Sequence, residues 1–145
     1  MKAKYIVFGI GFFLVGVISA PQARADALRI IVNSQNRTKE LSRKFLADAF
    51  LKKITFWEQG DLIVPVDQDS ESDTRKDFSE EILKKPVAAV RSYWQQMIFS
   101  GQSIPPVEFD TEEQVVRYVG SHANAVAYVS NKVALGSKVK IITLK

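Results

Sequence analysis

The residues best suited to chemistry lie in one run, Asp67-Gln68-Asp69-Ser70-Glu71-Ser72-Asp73-Thr74-Arg75. An apolar stretch, Leu62-Ile63-Val64-Pro65-Val66, precedes it and reads as a buried strand; a helical pattern begins near Thr74. Strand, polar loop and helix together bring hydroxyls and backbone N–H groups to face an anion. Ser70, Ser72 and Thr74 supply hydroxyl donors, Gln68 a neutral amide donor and Arg75 a counter-charge. A cation in the first turn of a helix opposes the dipole, so Arg75 needs a partner. That partner is either an anionic ligand or a local carboxylate of Asp67, Asp69 or Glu71.

Other chemistries fit the residues less well. Asp67, Asp69, Glu71 and Asp73 place four acids in one loop, and two unit charges about 4 Å apart repel by about 4 kcal/mol at an effective dielectric of about 20. The alternation Asp67-x-Asp69-x-Glu71 resembles the start of a calcium loop. Ser72 stands where such a loop needs glycine and Phe78 where it needs its closing Glu, so no metal is assigned. His122 is the only histidine, in a Gly-Ser-His-Ala-Asn loop, and no nucleophile-elbow motif accompanies it. No catalytic residues and no cofactor are assigned; the chain reads as non-enzymatic.

Several elements must position the loop. Leu28-Arg29-Ile30-Ile31-Val32 reads as a first strand, and Ser42 as the N-cap of a helix carrying Phe45, Leu46, Ala49 and Phe50 on one face. Lys52 and Lys53 are expected in its last turn. Trp57 is expected to pack the edge of a core. A helix is expected through Phe78, Ile82 and Leu83. Pro86 opens another as its first residue, with Val87, Val90, Trp94, Met97 and Ile98 as its apolar face. Asp110 and Glu113 have the spacing of a capping box for a helix through Val115, Val116 and Val119. Residues 125–129 and 139–144 read as further strands joined by a short helical connection. Strands alternating with helices predict an α/β fold, a mixed sheet flanked by helices.

Residues 1–25 read as a signal peptide: Lys2 and Lys4 lead an apolar run over residues 5–19, and Ala23-Arg24-Ala25 predicts cleavage between Ala25 and Asp26. The apolar run is shorter than the roughly 20 residues of a membrane-spanning helix. A periplasmic or secreted protein is expected. Lys2, Lys4 and Arg24 would leave with the signal, so 20 basic residues become 17 against 16 acidic, and the balance falls from +4 to +1. Nucleic acid is therefore not an expected partner. Residues 26–145 have length for one domain and one core. The chain has no cysteine, which excludes disulfides and thiol chemistry.

Several stretches together resemble one family. Ile30-Ile31-Val32-Asn33, then Leu41-Ser42, then Ala49-Phe50-Leu51-Lys52-Lys53-Ile54-Thr55-Phe56-Trp57 resemble the start of one lobe of the phosphate-binding proteins of ABC transporters. Ile63-Val64-Pro65-Val66-Asp67-Gln68, with Ser72, Arg75 and Phe78, looks like the short, single-lobe branch of that family. Asn124-Ala125-Val126-Ala127-Tyr128-Val129 is similar to its Gly-Ala-Ile-Gly-Tyr-Val strand.

The resemblance implies a single lobe of a periplasmic-binding-protein-like fold, with phosphate or another small oxyanion as ligand. In the two-lobed members the equivalent loop reads Arg-x-x-Gly-Ser-Gly-Thr and grips phosphate. Ser72 and Thr74 fall on its Ser and Thr; Glu71 and Asp73 replace the glycines, and Gln68 the arginine. A lone lobe offers a solvated shelf where anion contacts are screened. The expected partners are therefore a membrane transporter or sensor protein and, as a missing wall, a second copy of the chain in a homodimer. The alternative is a protein-interaction or sensory accessory module that kept the fold and lost the ligand.

Overall fold

Six strands form one mixed sheet in the computed structural model, which describes residues 28–145. The expected cleavage between Ala25 and Asp26 lies outside the described residues. The strands are β1 (Leu28–Asn33), β2 (Glu40–Leu41), β3 (Val64–Gln68), β4 (Val107–Phe109), β5 (Ala125–Ser130) and β6 (Val139–Leu144), in the spatial order β2-β6-β1-β5-β3-β4. β1 runs antiparallel to both its neighbours, β5 and β6, whereas β3 runs parallel to β4 and β5. The helices are α1 (Arg43–Phe50), α2 (Asp73–Phe78), α3 (Val87–Phe99) and α4 (Glu112–Ser121), with a π-helical turn, Ser79–Leu83, continuing α2.

The central strands β1 and β5 are mostly apolar because both faces are covered. Along β1, Ile30 and Val32 face one layer and Ile31 the other; along β5, Val126 and Tyr128 alternate with Ala125, Ala127 and Val129. The first set packs against Leu46 and Phe50 of α1, Phe78 of α2 and Trp94 of α3. The second packs against Val115 and Val119 of α4. On the first face Phe78 stacks on Tyr128 with ring centroids 3.8 Å apart, and Phe50 leans on both. Burying one such side chain is worth about 1.5–3 kcal/mol, so this cluster anchors α1 and α2 to the sheet. Trp57 is buried, as expected, and its indole N–H donates to the Asn124 carbonyl at 3.1 Å.

The structure moves several sequence-based boundaries. β3 runs on through Asp67 and Gln68, because Val66, Asp67 and Gln68 pair with Val107, Glu108 and Phe109 of β4, a short edge strand with no local sequence signal. Lys52 and Lys53 lie past the end of α1, Lys52 in a left-handed conformation at φ 52°. Pro86 is the N-cap of α3, not its first residue. The capping box sits one residue later than expected: Thr111 accepts from the Gln114 N–H at 3.3 Å while the Gln114 side chain takes the Thr111 N–H at 3.1 Å. The β5–β6 connection is built of turns rather than helix. Among the described residues no helix is long and apolar enough to cross a membrane.

Candidate functional site

The polar loop sits at the C-terminal ends of β3, β4 and β5, and its register is set by Pro65. β3 pairs with β5 only at Val64 and Pro65, and Pro65 has no N–H to continue the ladder. Beyond it the side chains bridge the gap between the strands. The Gln68 amide donates to the Tyr128 carbonyl at 2.8 Å, and the Tyr128 hydroxyl donates to Asp67 Oδ1, which also accepts the Gln68 N–H at 2.9 Å. Asp67 Oδ2 is ion-paired with the Arg75 guanidinium, and each of these two side chains is only 4 % exposed. Burial pushes the Tyr128 phenol far above the ordinary tyrosine range, against an opposing pull from the Arg75 charge.

The structure brings all five predicted ligand residues to one end of the sheet and gives each an intramolecular partner. Ser72 caps α2, accepting from the Arg75 N–H at 3.3 Å, and its hydroxyl donates to Gln68 Oε1 at 2.9 Å. The Thr74 hydroxyl donates to Glu112 at 2.9 Å. Ser70 Oγ accepts from Arg91 of α3 at 3.0 Å. Gln68 and Arg75 are buried. Of the two partners open to Arg75 in the sequence, the structure realises Asp67. That pairing offsets the unfavourable helix-start position of the cation.

The acids of the loop are separated. Asp67 turns inward, Asp69 closes the turn by accepting the Glu71 N–H at 2.8 Å, and Asp73 is exposed beside Lys76 at 3.5 Å. Among the described residues no three acidic or histidine side chains converge as a metal site. His122 follows α4 and stacks on Tyr118 with centroids 3.7 Å apart.

Three site residues had no functional signal in the sequence. Glu112 clamps β5 and α2 at once, accepting from the Ser130 N–H and hydroxyl at 2.7 Å each and from Thr74. Tyr128 and Arg91 join the loop from 61 and 21 residues away, respectively. Glu112 fell between the Asp110 and Glu113 of the expected capping box, Tyr128 only within an expected strand, and Arg91 drew no reading at all.

No protein-family model matches the chain, and no curated protein matches it. Solved structures do, among them phosphate receptors with the fold of periplasmic binding proteins. An ABC-type phosphate transport receptor from Vibrio cholerae superposes with a TM-score of 0.64 at 22% identity, over 82% of this chain and 46% of its own. A Clostridium perfringens protein described as a phosphate ABC transporter substrate-binding protein, solved with bound phosphate, gives 0.64 at 22% identity, over 82% and 45%. PstS from Borrelia burgdorferi gives 0.63 at 14% identity, over 83% and 47%. The chain therefore has the fold of phosphate transport receptors and spans less than half the length of the solved receptors it matches.

Proposed function

We propose that the chain is a non-catalytic binding protein of the receptor type, exported through residues 1–25, with phosphate or another small oxyanion as its inherited ligand. The observation that carries this reading is the fold likeness across 82% of the chain to receptors of that class, one of them solved with phosphate. The ligand would sit at the loop of Gln68, Ser70, Ser72, Thr74 and Arg75, and a membrane transporter or sensor would be the protein partner. A homodimer closing the shelf has no support from the fold or from the comparisons.

The second reading, an interaction module that kept the fold and lost the ligand, is favoured by the closure of the loop. Ser72 and Thr74 spend their hydroxyl protons on Gln68 and Glu112. An entering anion must replace those bonds, and each contributes about 0.5–1.5 kcal/mol net. Calorimetric titration of the purified protein with phosphate, with sulfate and calcium as comparators, separates the readings. Heat with phosphate, lost when Thr74→Ala is combined with Ser70→Ala, supports the receptor; no heat with any of the three leaves the interaction module.

A further inference from the structure

The charges of the molecule are divided between the two edges of its sheet. At the β2–β6 edge, residues 34–44 and 136–145 carry seven Lys and Arg side chains and one acid, Glu40. At the β3–β4 edge, residues 67–81 and 108–113 carry eleven Asp and Glu side chains and two cations, Arg75 and Lys76. The near-neutral balance of residues 26–145 conceals this separation. Backbone bonds hold the basic segments side by side. The Ser34 N–H donates to the Lys138 carbonyl at 2.8 Å, the Thr143 N–H to the Lys39 carbonyl at 3.1 Å and the Arg43 N–H to the Lys145 carbonyl at 3.2 Å. Lys44 and Lys145 have carboxylate partners, Asp48 and Glu40, and Lys140 donates to the Asn36 carbonyl. Arg37, Lys39, Arg43 and Lys138 are exposed and form no ion pair among the described residues.

The same flank also shows apolar surface. Ile141 of β6 pairs with the buried Ile31 of β1, on the α4 side of the sheet, yet is 53% exposed. A cleft of about 450 Å³ opens between the end of α4 and the lead-in to β6, with Val116, Gly120 and Val139 in its walls. Two exposed cations, Arg117 and Lys138, line it as well. A nucleic acid or an acidic peptide calls for the cations alone. A surface with anionic heads above an apolar layer calls for cations beside apolar side chains. We propose that the β2–β6 flank docks on an anionic phospholipid surface. Arg37, Lys39, Arg43 and Lys138 draw the phosphate headgroups, while Ile141 and the α4–β6 cleft meet the apolar part of the interface. The acidic β3–β4 edge is repelled by the same surface, which turns the polar loop away from it. The flank shares no residue with that loop, so docking and oxyanion binding are independent.

The test is co-sedimentation of the purified full chain with vesicles of phosphatidylcholine, alone or with about 30 mol % phosphatidylglycerol. The anionic vesicles are expected to bind it about tenfold more tightly or more at about 50 mM salt, and to release it at about 500 mM. Binding through the apolar run of residues 5–19 would instead be equal on both vesicle types and unmoved by salt. Arg37→Gln with Lys39→Gln, and Arg117→Gln with Lys138→Gln, are each expected to weaken binding about tenfold or more without changing the melting temperature. Lys84→Gln with Lys85→Gln, an equal loss of charge elsewhere, is expected to leave binding unchanged. Ile141→Ser is expected to weaken it about threefold. Equal binding to both vesicle types, wild-type binding in both flank variants, or the same loss in the Lys84 and Lys85 variant would each overturn the proposal. So would a DNA duplex bound as tightly as the anionic vesicles and unaffected by Ile141→Ser, which would assign the flank to nucleic acid. Self-association at low salt that the flank variants abolish would assign it to a second copy of the chain and overturn the proposal equally.

Discussion

Asp67 gives Arg75 the anion that its place in a first helical turn demands, and the Tyr128 hydroxyl and the Gln68 N–H complete that carboxylate's shell. Removing one partner of a buried pair strands the other charge. Asp67→Ala is accordingly expected to cost about 3–5 kcal/mol in urea unfolding, whereas the double replacement Asp67→Leu with Arg75→Met is expected to cost less than Asp67→Leu alone. Tyr128 sets a pH dependence. Its folded phenol holds the proton more tightly than the unfolded one, whose ordinary value is 10.0, so its contribution is intact below that pH. The contribution is lost as pH rises beyond it. Melting temperatures measured from about pH 8 to about pH 11 should fall at the alkaline end, and Tyr128→Phe should flatten the fall. The residue types of this site were legible in the sequence because they share a loop. Their partners were not, since Tyr128, Glu112 and Arg91 arrive through sheet pairing and helix docking that no local spacing encodes.

At the level of elements, the apolar periodicities located β1, α1, α3, α4, β5 and β6, because each buries a continuous face against the two-sided sheet. β4 escaped notice because three residues at a sheet edge are held by backbone pairing to β3 rather than by a buried face of their own. The ends of helices depend on single residues. Thr111→Ala removes the hydroxyl that takes the Gln114 N–H and is expected to lower stability by about 1 kcal/mol in chemical denaturation. Lys84 ends the π-helical turn at φ 55°, in the left-handed region that penalises a Cβ. Lys84→Gly is expected to raise the melting midpoint, by up to about 1 kcal/mol in stability.

For the whole molecule, the end of α3 and the following loop leave apolar side chains in water: Phe99 is 91% and Ile104 69% exposed. Phe99→Ser should therefore change unfolding free energy by no more than about 0.5 kcal/mol, in contrast to the neighbouring buried Trp94, whose replacement by Ala should cost about 3–5 kcal/mol. The placement of β1 has a consequence in time. Among the described strands the first in sequence lies between the last two, with Leu28 opposite Ser130 and Asn33 opposite Val139. Neither flank of β1 exists until β5 and β6 have been made, so the centre of the sheet cannot close while the intervening elements emerge. A stalled nascent chain ending before β6 should be cut readily by protease, and the released full-length chain should resist. Such timing keeps the stretch from β1 to α4 threadable until β5 has been made.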